Sequence, residues 1–114
     1  MYKRLIFCLI GGLSLALPCL AQDQPLAPIA PNTIVIKNHQ FIPPQLTVPA
    51  GKKLEITIDN QDPTAEEFES FDLDREQVVR GHKQITVYIG PLKPGKYGYW
   101  ADYHQDSKGI IVAQ

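Results

Sequence analysis

Tyr97-Gly98-Tyr99-Trp100-Ala101-Asp102-Tyr103-His104, followed at a short distance by Gly109-Ile110-Ile111-Val112, decides how this chain is read. It parses as an aromatic strand, a short polar loop holding an acid and a histidine, and an apolar strand. Working outward, the same grammar repeats. Gln84 to Ile89 is a strand joined to Lys96–Ala101 through the turn Pro91-Leu92-Lys93-Pro94-Gly95. Leu54-Glu55-Ile56-Thr57-Ile58-Asp59 alternates strictly, which turns Leu54, Ile56 and Ile58 inward. Thr33–Lys37 and Leu46–Val48 are shorter strands, and Pro49-Ala50-Gly51-Lys52 is a turn with Pro and Gly where turn chemistry wants them. The charged segment Asp72 to Gln77 could hold one helical turn. About seven short strands with Gly/Pro turns and no long helix predict an all-β fold, an antiparallel sandwich.

The N-terminus lies outside that pattern. Met1-Tyr2-Lys3-Arg4 is basic, Leu5 to Leu17 is an apolar run of 13 residues, and Pro18-Cys19-Leu20-Ala21 precedes polar Gln22-Asp23-Gln24. This is the layout of a cleaved secretory signal, residues 1–21, and the run is short for a membrane span. A lipoprotein with Cys19 at its new N-terminus is disfavoured by Pro18, and an uncleaved anchor is the minority alternative. Residues 22–32 carry Pro25, Pro28 and Pro31 and read as an extended tether. Residues 33–114 form the domain.

Both cysteines, Cys8 and Cys19, fall in the leader, so the exported chain has no disulfide and no thiolate ligand. Its 93 residues suffice for one modest core. Without Lys3 and Arg4 it carries 9 basic against 12 acidic residues, a formal charge of −3 that favours cations. There is no basic stripe with interleaved aromatics, the pattern that nucleic-acid binding needs. Nor is there a nucleophile elbow or a phosphate-cradling glycine loop.

Tracking strand direction brings three loops to one end, carrying His39, Glu66 with Glu67, and Asp102 with His104. Within the strand around Phe68, Glu67 and Glu69 share one face, and Glu66 shares the other with Phe68. Such crowded acids are either a charged edge that protects a strand or ligands awaiting a cation. Glu66, Glu67, Glu69, Asp102 and His104, with His39 as a further candidate, supply oxygen and nitrogen donors suited to Fe, Mn, Zn or Cu(II). Cu(I) would want the thiolate or thioether that is missing; Met1 is the only methionine. His82 reads as a surface residue.

From Ile34 to Val112 the chain resembles a cupredoxin, in particular the iron-uptake cupredoxins similar to the N-terminal domain of EfeO-type bacterial proteins. The resemblance rests on Phe41-Ile42-Pro43, Val48-Pro49-Ala50-Gly51, Glu66-Glu67-Phe68-Glu69-Ser70, Ile89-Gly90-Pro91-Leu92-Lys93-Pro94-Gly95-Lys96-Tyr97 and Asp102-Tyr103-His104 before Gly109. It implies a Greek-key sandwich in which the usual first copper histidine falls on Glu66, the cysteine on Ala101, the second histidine on His104 and the axial methionine near Ser107. A blue copper site, which rests on a copper–thiolate bond, cannot form there. The resemblance implies instead a periplasmic protein that binds copper and/or iron and assists iron uptake beside a membrane permease, a homodimer being compatible with it. A copper-dependent ferroxidase and a metal-free domain docking on a transporter are the rival expectations.

Overall fold

A computed structural model describes residues 28–114, together with Gly11, Gly12 and Ala16. The expected signal segment and the first part of the tether lie outside the described residues. Among the described residues no helix is long and apolar enough to cross a membrane.

Nine strands form the domain: β1 (Thr33–Lys37), β2 (Gln40–Ile42), β3 (Gln45–Val48), β4 (Leu54–Asn60), β5 (Glu66–Ser70), β6 (Arg75–Val79), β7 (Gln84–Ile89), β8 (Gly95–Ala101) and β9 (His104–Ala113). They make two sheets, β2-β1-β4-β7 and β3-β9-β8-β5-β6. The all-β sandwich is as expected, with two strands beyond the seven anticipated. One of these is β6, which replaces the helical turn allowed for over Asp72–Gln77. Val79 is fully buried and the segment pairs along the whole of β5, so tertiary pairing overrides a locally indifferent sequence.

Both sheets are mixed: β1 runs parallel to β4, and β3 parallel to β9. The cause is the connection after β2. At Pro43-Pro44 the chain passes to the other sheet, and β3 joins β9 there. A proline pair suits such a crossing because it cannot donate to either ladder.

The core lies between the sheets. Leu54, Ile56 and Ile58 of β4 point inward as their alternation requires, meeting Ile34 and Ile36 of β1 and Ile111 of β9. Phe41, Phe68 and Tyr99 fill the centre, with the Tyr99 ring centroid 4.9 Å from Phe41 and 5.0 Å from Phe68. Tyr99 sits opposite Gly109 on β9 and lies directly over it. A side chain at 109 would occupy the space of the ring, so glycine is required by this close approach.

Candidate metal centre

The chain builds one end of the sandwich from the 38–39 turn, the 61–65 loop and the turn between β8 and β9. Asn38 and His39 join β1 to β2 as a two-residue hairpin, with φ of 51° and 60°. Positive φ at both central residues is the geometry of a type I′ turn. What holds it is Asp62, which no motif in the sequence singles out. One carboxylate oxygen accepts the Asn38 N–H at 2.7 Å, and the other accepts the His39 N–H at 2.8 Å. Asp62 is itself fixed by buried Asn60, whose Oδ1 accepts the Asp62 N–H at 3.0 Å. The Asn60 amide donates in turn to the carbonyls of Thr64 and Val79, at 2.9 and 3.0 Å. Ser107, buried on β9, donates its hydroxyl to the His39 carbonyl. The position that the resemblance gave to an axial methionine thus ties down the turn.

His104 opens β9. The expected 102–107 loop is in fact a two-residue turn, Asp102-Tyr103, with Ala101 paired to His104 across a register shift beside Trp100. This puts the His104 ring over the mouth of the sandwich. It stacks on His39 with centroids 3.6 Å apart and planes at 17°. Beneath the pair sits Glu66, 1% exposed at the start of β5. Its Oε1 accepts the N–H of Tyr103 and of Glu67, each at 3.0 Å, and its Oε2 meets His104 Nδ1 at 2.5 Å. A carboxylate accepting two backbone N–H groups makes Nδ1–H the natural donor to it, which leaves Nε2 with the lone pair. Donor atoms of His39, Glu66 and His104 all lie within 4.8 Å of one another.

The remaining candidates are elsewhere. Strand periodicity sends Glu66 and Phe68 inward, and Glu67 and Glu69 to the outer face of the five-stranded sheet. There Glu67 and Glu69 join Glu76 of β6, which faces Glu69 directly. Asp102 turns the same way: its Oδ1 accepts from Trp100 Nε1 and Gln105 Nε2, both at 3.3 Å. The six residues expected to form one site therefore divide into His39, Glu66 and His104 at the open end, and Glu67, Glu69 and Asp102 outside. The acids of the outer group oppose one another. A hydrogen bond with Glu76, then burial, then the charges of Glu76, Asp102 and Glu69 push the Glu67 carboxyl up to about 7. Burial first, then the charges of Asp102 and Glu76, raise that of Glu69. His82 is exposed and belongs to neither group.

Residues 9–113 match the family model of the cupredoxin-like domain. The chain belongs to that family. An uncharacterized protein of Rickettsia prowazekii, RP394, is 48% identical over 80 residues, covering 69% of this chain and 64% of that protein's length. Among solved structures, a purple cupredoxin from Nitrosopumilus maritimus superposes with a TM-score of 0.59 at 18% identity, covering 72% of this chain and 98% of that one. Amicyanin from Paracoccus versutus gives 0.60 at 15%, covering 77% and 85%. The metal-binding domain of the Cu(I)-exporting ATPase CopA of Streptococcus pneumoniae, determined with Cu(I), gives 0.65 at 14%, covering 72% and 82%. At these identities the structural likeness is one of fold.

The donor set can be tested against the copper site of that fold. Ala101 is 1% exposed and opposite Phe68 on the inner face, so the position nearest His104 on β8 carries a methyl group and no sulfur. A thiolate-bound blue copper ion does not fit these residues. Two imidazoles and a carboxylate fit Cu(II) and harder ions well.

Proposed function

We propose that the protein is a metal-binding cupredoxin of the periplasm that takes Cu(II) or iron through His39, Glu66 and His104 and serves iron uptake beside a membrane permease. One observation carries the reading: a half-buried pair of stacked histidines stands over a buried carboxylate, at the open end of a cupredoxin sandwich. Glu66 holds His104 in one tautomer and one orientation before any ion arrives, as carboxylates do for metal-binding histidines. With Nδ1–H committed to Glu66, the Nε2 lone pair of His104 would be the nitrogen offered to an ion. The bound ion would supply redox chemistry of the kind a ferroxidase uses. The protein's part is to keep the donors aligned on rigid strands and leave one side open.

The absence of sulfur among His39, Glu66, His104 and Ala101 sets this centre apart from a Cu(I) carrier. The CopA domain was determined with Cu(I); a set of imidazole and carboxylate favours the oxidised ion. Export through residues 1–21 and partnership with an iron permease rest on the leader and on the likeness of Glu66-Glu67-Phe68-Glu69-Ser70 to iron-uptake cupredoxins.

Calorimetric titration of the full chain with Cu(II), Fe(II) and Fe(III) tests the reading. Replacing His104 by Ala is expected to weaken Cu(II) binding at least tenfold, about 1.4 kcal/mol. Unchanged affinity would remove His104 from the site. A melting temperature indifferent to every one of these ions would favour a metal-free docking domain, since a ligand of the native state must raise it.

A further inference from the structure

Gly98, in the middle of β8, is a glycine that the fold does not require. Its φ lies outside the left-handed region, and a Cβ there would meet only an Asp72 oxygen, at the ordinary contact distance of 3.6 Å. Gly109 differs, because Tyr99 fills the space beside it. A glycine inside a strand weakens it and often marks a place where another group comes close. What Gly98 leaves on the outer face of the five-stranded sheet is a hollow of about 390 Å³, lined by Phe71, Asp72, Trp100, Lys108 and Ile110.

The walls of this hollow are apolar and exposed. Phe71 is 79% exposed, and its ring meets Trp100 edge-on with centroids 4.7 Å apart. Ile110, paired with Gly98 on β9, is exposed as well. The floor is closed to an added strand. The Gly98 N–H donates to Asp72 Oδ2 at 2.8 Å, and its carbonyl accepts the Ser70 hydroxyl at 2.7 Å. An occupant therefore enters as a side chain, not as backbone.

Charge complementarity decides which side chain. On the far side of Trp100 a second hollow is lined by Glu69 and Asp102, and Glu67 and Glu76 continue the acidic surface across β5 and β6. The five strands of this sheet carry lysine or arginine at Arg75, Lys96 and Lys108 alone, and Arg75 is committed to the carbonyls of Asp74 and Tyr88. An apolar hollow rimmed by acids matches a long apolar stem that ends in a cation. Arginine fits best, because its planar guanidinium both stacks on aromatic rings and pairs with carboxylates through a fork of donors.

We propose that this face is a docking surface for a protein partner that presents an arginine on a basic segment, its stem in the Gly98 hollow and its guanidinium against Trp100 and the neighbouring carboxylates. The surface lies on the opposite face of the sheet from Glu66, and it does not depend on an ion at the histidine centre.

A peptide of alternating glycine and arginine, labelled with fluorescein, is the probe, read by polarisation against the full chain. Trp100, the only tryptophan, reports occupancy with unlabelled peptide through its own emission. Saturable binding is expected, with a change in Trp100 emission and at least fivefold weaker binding of the lysine counterpart. Gly98→Val should fill the hollow and weaken binding at least tenfold without lowering the melting temperature, since valine suits a strand better than glycine. Phe71→Ala removes an exposed ring and should weaken binding at least fivefold, which keeps the test available if the valine variant does not fold. Unchanged affinity in either folded variant would mean diffuse attraction to the acids and would overturn the proposal. Equal affinity for the lysine peptide would overturn it too, as would absence of saturable binding. Trp100 emission that responds to phosphatidylcholine vesicles and not to the peptide would assign the aromatic pair to a lipid surface instead, and would equally overturn it.

Discussion

Replacing Asp62 by Asn should damage the histidine centre although Asp62 is not itself one of the three residues that would hold the ion; its carboxylate lies 3.6 Å from His39 Nδ1. The Asp62 carboxylate accepts two backbone N–H groups of the 38–39 turn, at 2.7 and 2.8 Å. In Asn one of the two oxygens becomes an amide nitrogen that faces an N–H, so one charge-assisted hydrogen bond is lost and two donors are opposed. Bonds of this kind contribute roughly 1.5–3 kcal/mol each, and the turn's partial exposure argues for the lower half of that range. For a domain of this size the loss is expected to lower the melting temperature by roughly 6–18 °C. Urea unfolding would show it as a fall in midpoint at unchanged slope. The functional effect runs through His39, whose ring is stacked on His104 by the turn that Asp62 holds. Cu(II) affinity should therefore fall about tenfold in Asp62→Asn, and the same substitution made in a His39→Ala background should cost almost nothing further. That coupling separates a positioning residue from a merely stabilising one. An unfolding midpoint equal to that of the parent, or a Cu(II) defect that persists undiminished without His39, would refute the reasoning.

The outer acids make a pH-dependent prediction. Because the Glu67 carboxyl is pushed from 4.5 up to about 7 in the folded chain, the native state holds its proton more tightly than the unfolded state. Stability is therefore lost as pH rises through that interval, and the full cost is felt above it. Without metal, Glu67→Gln should raise the melting temperature clearly at about pH 8 and hardly at about pH 4; an equal gain at both would mean that relief of charge is not the cause. In the core, Gly109→Ala would drive a Cβ into Tyr99 Cζ and Oη, while Phe41 and Phe68 hold the ring in place. Overpacking of this sort costs about 1–3 kcal/mol, and a parent-like thermal melt would show that the ring can retreat.

The parts of the molecule that were legible in its sequence are those that strand periodicity alone determines. Alternation in Leu54–Asp59 named the inward residues, and turn chemistry at Pro49–Lys52 and Pro91–Gly95 gave enough strand reversals to gather His39, Glu66 and His104 at one end. The same periodicity already contained the division of the acids. Successive residues of a strand face opposite ways, so Glu66 and Glu67 could not both look into one centre once Phe68 was placed in the core. Two features had no such local sign. Glu76 lies in a charged stretch that is neither alternating nor periodic, and becomes a strand only because β5 offers it an edge. Asp62 matters because a turn more than twenty residues earlier takes positive φ and leaves two N–H groups to be satisfied. Nothing near Asp62 in the sequence states that need. The acids divide because β5 has two faces: Glu66 orients a histidine on the inner side, and Glu67 meets only other acids on the outer side. Adjacent glutamates of one strand are thus put to different electrostatic uses, and each can be removed without removing the other.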